Sequence, residues 1–179
     1  LLEDGKIRLI AVGTLKKFKG YMRLLSIIKK LCDERYPVHL YILGTGPLQF
    51  EMEKFIRKNE LQNTVTMLGY QVNPYKYISK CDLFVCASYA EGFSTATTEA
   101  LIVGTPVCTV EVSGMRELLG NSKYGLITEN SEDALYKGIK YLLENSEIRS
   151  YYKKQARLRS EKFSVEKTVN AVEEMLLNI

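Results

Sequence analysis

CDLFVCASYAEGFSTATTEALIVGTPV, residues 81–107, is the stretch that decides the fold. Leu83 to Ser88 is a short, continuous apolar run, the pattern of a parallel strand covered on both faces. TATTEALIVG behind it, residues 95–104, reads as a helix. Glu91 therefore sits in a strand-to-helix turn and Glu99 on the helix, with seven residues between them. In open α/β sheets ligands bind beyond the carboxyl ends of the strands, where helix N-termini offer free N–H groups to anions. A carboxylate there repels phosphate but accepts hydrogen bonds from hydroxyls, as on sugars. Phosphate on amides and hydroxyls on carboxylates together suit a nucleotide sugar.

Outward from this segment, strand-like runs alternate with helical ones. Ile7–Val12, Val38–Leu43, Val65–Leu68 and Pro106–Val110 read as further strands, with a weaker one near Gly125–Ile127. Leu24, Leu25, Ile28, Leu31 and Cys32 keep the spacing of one helical face. Leu48 to Lys58 follows Pro47, which suits a first helical turn because its missing N–H has no intrahelical partner. Short loops and non-alternating strands predict an α/β fold, a Rossmann-like doubly wound parallel sheet of about six strands. After residue 127 only helices are predicted: one capped by Ser131 and running to about Asn145, one from Ser146, and one capped by Ser164 with Val165, Val169, Val172 and Leu176 along one side. This is a C-terminal helical tail on a single domain, residues 1–179.

The 179 residues suffice for one domain with a full core, burying about 70% of the unfolded surface. Apolar and charged fractions of 46% and 26% are ordinary for a globular domain, and a net charge of +4 is too mild to argue for nucleic acid. No window reaches about 18 uninterrupted apolar residues. The chain opens LLEDGKIRL, with neither a signal peptide pattern nor a Met, and reads as a piece of a longer protein. Cys32, Cys81, Cys86 and Cys108 are scattered through apolar segments and His39 is the single histidine. Zinc needs a tighter ligand set than this, and a Cys–His nucleophile lacks a partner nearby in sequence. The thiols read as buried and reduced, and no metal ligand set is expected.

Candidate ligand residues collect at predicted strand ends. Gly13 ends the first strand and Gly20 opens the first helix, so Thr14, Lys16, Lys17 and Lys19 lie along the carboxyl edge. Lysine there can put a point charge on a diphosphate. Gly44 and Gly46 permit a tight turn and close backbone approach to a ligand. A third glycine and an acidic residue ending the second strand are both missing, which weakens a dinucleotide reading. Gly69 closes the third strand, leaving Tyr70 to Val72 at the same edge, where backbone can bond a base and Val72 can pack on it. Gly92 lets the chain turn, and Ser94 and Thr95 are cap-competent. Glu91 and Glu99 do not form a glycosidase pair, because Glu99 lies on the helix more than two turns away and cannot flank the same bond. The segment Thr109 to Leu118, with Ser113, Gly114 and Glu117, reads equally as a cleft wall or a plain connection.

In order and spacing these segments resemble the C-terminal domain of retaining glycosyltransferases of the GT-B fold, in the group 1 (family four) set. The resemblance covers residues 7–175. It rests on Lys19-Gly20 after strand one, Gly44-Thr45-Gly46-Pro47 after strand two, Leu68-Gly69, Cys81 to Ser88, Glu91-Gly92-Phe93 with Glu99-Ala100, and Gly104-Thr105-Pro106-Val107. Such domains bind a nucleotide-diphosphate sugar, with the acceptor held by an N-terminal domain. The resemblance implies that Glu91 bonds donor-sugar hydroxyls beside the Gly92–Phe93–Ser94 backbone. It implies that Glu99 holds the ribose, that Lys19 and the amides near Thr95 neutralise the departing diphosphate, and that the base lies near Gly69–Val72. Glu91 and Lys19 would be the catalytic pair, with a UDP- or GDP-sugar as substrate and no metal. A cytoplasmic protein is implied, with peripheral contact of the full-length enzyme at the inner face of the membrane. Two positions depart from the pattern: Thr14 stands where the family usually has Arg, leaving Lys16 or Lys17 to substitute or phosphate binding weaker, and Ser94 stands where Gly is frequent. A sugar-nucleotide 2-epimerase half and a noncatalytic sugar-nucleotide-binding domain are the alternative readings. The fragment alone is expected to bind nucleotide but not to catalyse transfer.

Overall fold

The computed structural model describes residues 5–163. Its strands are β1 (Ile7–Val12), β2 (Val38–Leu43), β3 (Val65–Gly69), β4 (Leu83–Cys86), β5 (Val107–Val110) and β6 (Leu126–Thr128). Its helices are α1 (Tyr21–Asp33), α2 (Gln49–Lys58), α3 (Tyr75–Ile78), α4 (Thr95–Ile102), α5 (Met115–Leu119), α6 (Glu132–Glu144) and α7 (Ser146–Ser160). The strands form one sheet in the order β3-β2-β1-β4-β5-β6, and every pairing is parallel. The expected Rossmann-like sheet is observed, with strand limits shifted by a residue at β3, β5 and β6.

Successive side chains of a strand point to opposite faces, and the core divides accordingly. Leu9 and Ala11 of β1 face a layer built on Leu24, Ile28 and Leu31 of α1, Met52 of α2 and Ile139 of α6. Ile10 faces the other layer, with Ile78 of α3, Ala100 and Leu101 of α4, Leu119 of α5 and Ala156 of α7. Each fully buried Leu or Ile contributes about 1.5–3 kcal/mol, so these two apolar layers hold the sheet between them. Pro47 lies in a turn rather than in the helix, and α2 starts at Gln49. Ser131 caps α6 as expected, its Oγ accepting from the Ala134 amide at 3.1 Å. No strand separates α6 from α7, and α7 crosses back to pack on α4. The helix expected from Ser164 lies outside the described residues.

Two features of this fold create the site. The chain winds outward from β1 in both directions, so the loops after β1 and β4 leave the sheet toward opposite faces and open a crevice between them. At the end of β3 the register skips a residue, with Ile42 opposite Met67 and Leu43 opposite Gly69. A bulge of this kind bends a strand and re-aims the residues beyond it. Here it directs Tyr70 and Val72 to the rim of the crevice, where both are exposed.

Candidate nucleotide-sugar site

The loop after β1 docks directly on the loop after β4. Gly20 caps α1 with φ of 70°, and a Cβ on it would sit 1.8 Å from the Ala87 carbonyl oxygen. Nothing larger than glycine fits. The Tyr89 amide donates to the Phe18 carbonyl at 2.7 Å, closing the contact. This docking carries the Lys19 ammonium onto Glu91, where it lies 2.8 Å from each carboxylate oxygen.

Glu91 is held from several sides. Ser88 Oγ donates to the same Oε1 that Lys19 bonds, and the Cys86 thiol lies 3.9 Å from it. The Glu91 side chain is only 6% exposed, so its charge is compensated locally rather than by water. Tyr21 stands behind, its hydroxyl donating to the Gly13 carbonyl at 3.0 Å. Burial pushes the Tyr21 phenol well above its ordinary range, and the charges of Cys86 and Glu91 add to the shift, so it remains a neutral donor. Lys19, Tyr21, Cys86, Ser88, Glu91 and Ser94 line a small recess at the bottom of the crevice.

A larger cleft of about 350 Å³ adjoins this recess, the two sharing Val12 and Ala96. Its floor is Gly13, Thr14, Gly44 and Thr45, and its far wall is Tyr70, Gln71, Val72 and Pro74. Thr95, Ala96 and Glu99 of α4 form the near wall. Ser94 caps α4, its Oγ accepting from the Thr97 amide at 3.4 Å and sharing a 2.8 Å bond with the Thr97 hydroxyl. The amides of Thr95 and Ala96 precede the first intrahelical bonds, so they are open donors toward the cleft. The Glu99 carboxylate takes no hydrogen bond or ion pair within the described residues, and burial raises it above the ordinary value. An acceptor without a protein partner therefore faces a cavity bordered by free amides.

Of the residues expected at a site, Gly13, Thr14, Gly44, Tyr70, Val72, Thr95 and Glu99 line the cleft, and Lys19, Glu91 and Ser94 line the recess. Lys19 is not free in this state, being bonded to Glu91. Gly46 does not line the cleft, and a Cβ there would meet the Leu15 main chain at 2.7 Å. Its lack of a side chain serves the packing of one loop on the other. The same holds for Gly44, where a Cβ would fall 1.9 Å from the Gly13 carbonyl oxygen, although Gly44 itself borders the cleft. Gly92 and Phe93 are exposed and line neither cavity. Gly92 instead contributes its carbonyl, 3.4 Å from where a Cβ on Gly114 would sit, so the turn before α5 abuts the acidic loop. Glu117 is exposed outside both cavities, and Lys16 and Lys17 are exposed and line neither.

Sequence reasoning misses two other contributors. Arg23 is buried at 3% exposure and donates to the Ala87 and Ser88 carbonyls at 2.6 and 2.8 Å. Its signal is a charged residue four positions before Ile27 on the buried side of α1. Gln71 donates to the Leu68 carbonyl and accepts from the Tyr77 hydroxyl, both at 2.8 Å, which fixes the loop carrying Tyr70 and Val72. All four cysteines are free thiols, and burial pushes Cys81 up to about 12. Among the described residues no group of three or more His, Cys, Asp or Glu is arranged to hold a metal, and no helix is long and apolar enough to cross a membrane.

Sheet order and crevice together define a Rossmann-like domain with a cleft at its switch point. Residues 1–159 match the model of the family described as glycosyl transferases group 1, and the chain belongs to that family. It is 36% identical over 167 residues to the N-acetylgalactosamine-N,N'-diacetylbacillosaminyl-diphospho-undecaprenol 4-alpha-N-acetylgalactosaminyltransferase of Campylobacter jejuni, an alignment covering 90% of this chain and 45% of that one. In fold it resembles Anabaena HepE in complex with UDP, at a TM-score of 0.86 and 21% identity, covering 97% of this chain and 49% of that one. It also resembles the pneumococcal O-GlcNAc transferase GtfA in complex with UDP and GlcNAc, at a TM-score of 0.83 and 20% identity, covering 97% and 37%. The chain thus spans about half the length, or less, of these relatives. The structural likenesses are to GT-B glycosyltransferases, as the sequence motifs lead one to expect.

Proposed function

We propose that this chain is the donor-binding half of a retaining glycosyltransferase whose donor is a UDP-linked N-acetylhexosamine. One observation carries the proposal: Glu99, a half-buried carboxylate with no partner among the described residues, faces the same cleft as the open amides of Thr95 and Ala96. That pairing offers acceptors to a ribose and donors to a diphosphate within one cavity. In this reading the base lies along Tyr70 to Val72 and the ribose hydroxyls donate to Glu99. The diphosphate takes hydrogen bonds from the Thr95 and Ala96 amides and from Thr14. The sugar turns toward the mouth of the recess, where its hydroxyls exchange with Lys19 as partners of Glu91.

Transfer with retention breaks the bond between the anomeric carbon and the diphosphate oxygen, and the electron pair leaves on that oxygen. The acceptor hydroxyl attacks from the same face and passes its proton to the departing diphosphate oxygen. Preorganised donors aimed at the developing charge are the usual source of such rate enhancement, and Lys19 with the α4 amides supplies them in this scheme without a metal. Each helix-terminal contribution of this kind is about 0.3–2 kcal/mol. The choice of N-acetylhexosamine follows the names of the Campylobacter relative and of the pneumococcal complex, and the choice of UDP follows the two complexes. The acceptor, the groups that position it and any contact with the inner face of the cell membrane are assigned to the part of the enzyme that this chain does not span. Transfer by this chain alone is expected to be negligible.

Calorimetric titration with UDP, UDP-N-acetylglucosamine, UDP-N-acetylgalactosamine and GDP tests the reading. Binding of the uridine ligands in preference to GDP is expected. Absence of binding to all four overturns it.

A further inference from the structure

Behind Glu91 stand Arg23 and Asn130, which line neither cavity. The turn joining β4 to Glu91 exposes three carbonyls, and each is held from the side away from the cleft. Arg23 Nε donates to the Ala87 oxygen at 2.6 Å and a terminal nitrogen of the same guanidinium donates to the Ser88 oxygen at 2.8 Å. The other terminal nitrogen donates to Asn130 Oδ1 at 2.8 Å, and Asn130 returns Nδ2 to the Tyr89 oxygen at 3.2 Å. The guanidinium carbon lies 4.1 Å from the centre of the Tyr89 ring, so the plane is stacked as well as bonded. No carboxylate pairs with Arg23 among the described residues. A buried guanidinium satisfied by carbonyls and an amide is an unusual expense of charge, and its planar fork is what fixes two successive carbonyls at once.

The residue so fixed is the one that aims the acid. Ser88, whose carbonyl Arg23 holds, sends its own hydroxyl to Glu91 Oε1. We infer that Arg23, braced by Asn130, is a positioning residue that sets the carboxylate of Glu91 for the sugar end of the donor. The inference rests on the donor reading given above and deepens it, because it separates recognition of the sugar from recognition of the nucleotide.

The test measures the affinity ratio between UDP-N-acetylglucosamine and UDP for the 179-residue chain. Arg23→Lys keeps the charge but loses the fork, and it lowers the ratio about fivefold while leaving UDP binding within about twofold. Asn130→Ala, at the surface, lowers the ratio about twofold and carries the test if Arg23→Lys fails to fold. Glu91→Gln also lowers the ratio, and adding Arg23→Lys or Asn130→Ala to it produces no further change, because coupled residues are not additive. Hydrogen exchange in the ligand-free chain gives an independent readout: the Tyr89 amide, bonded to the Phe18 carbonyl, exchanges faster in both variants. An unchanged ratio, an additive cycle or unchanged exchange overturns the assignment. Failure of the wild-type chain to bind either ligand overturns the donor reading and the assignment with it, and is told apart because the other failures leave wild-type binding intact.

Discussion

Lys19 and Glu91, 72 positions apart in the chain, meet with the ammonium 2.8 Å from both carboxylate oxygens. The acid is almost fully enclosed and the lysine side chain is 22% exposed. The two charges that the reaction scheme assigns to sugar and diphosphate thus neutralise one another. A donor must compete for each of them.

Lys19→Met leaves the Glu91 carboxylate enclosed with only Ser88 as a close donor. Breaking a fully buried pair costs about 3–5 kcal/mol, and the partial exposure of Lys19 brings the expectation to about 2–3 kcal/mol. Urea unfolding measures it. The double variant Lys19→Met/Glu91→Gln recovers part of the loss, since no uncompensated charge remains.

Glu99 carries a carboxyl raised by burial, so its ionised form costs the fold stability. A raised acid favours the folded state only below its unfolded value near 4.3, and that advantage is lost as the pH climbs through the folded value. Glu99→Gln is therefore expected to raise the melting temperature of the ligand-free chain at pH 7. The gain disappears below about pH 4. The same variant weakens UDP binding at pH 7 by about tenfold, as loss of a charged acceptor predicts. Melting curves at pH 4 and 7 and calorimetry read the two effects, and a variant that binds UDP as well as the wild type removes Glu99 from the ribose.

Thr14 lies on the cleft floor, and no lysine or arginine lines the cleft with it. Thr14→Arg supplies a forked donor to the diphosphate and tightens UDP about tenfold, while uridine, which has no phosphate, binds unchanged. Equal gains for UDP and uridine would show that the arginine meets something other than phosphate.

Gly20→Ala sets a methyl group against the Ala87 carbonyl and forces a left-handed residue to carry a side chain. Destabilisation of more than about 1 kcal/mol is expected, together with reduced nucleotide-sugar binding, because the contact that brings Lys19 to Glu91 is pried apart. Thermal melts and calorimetry on the same preparation give both numbers.

The strands β2, β4 and β5 are legible in the sequence because each is a short apolar run buried on both faces, β6 is weaker because it is only half-buried, and the helical faces are legible from their spacing. The bulge before Gly69 is not, since it depends on the register against β2 rather than on residues 65–69 themselves. Glu91 and Lys19 stand out because they adjoin glycines in strand-to-helix turns, and Glu99 because it lies on the helix that follows such a turn. Arg23 cannot be assigned its role from sequence, because its acceptors lie 64, 65 and 107 positions away and only the folded chain brings them within reach. Gly46 reads as clearing a path for a ligand when it clears one for Leu15, and both needs look alike in a sequence.

The floor of the cleft is stitched by main-chain bonds: Gly13 to Leu43, Leu15 to Thr45, Leu48 to Leu15 and Gly44 to Gly69, all between 2.7 and 3.0 Å. None of these depends on the identity of a side chain pointing upward. An engineer can therefore vary Thr14, Thr45, Tyr70 and Val72 as a palette of ligand contacts on a scaffold that keeps its contour, whereas the glycines beneath them are keystones and admit no such freedom.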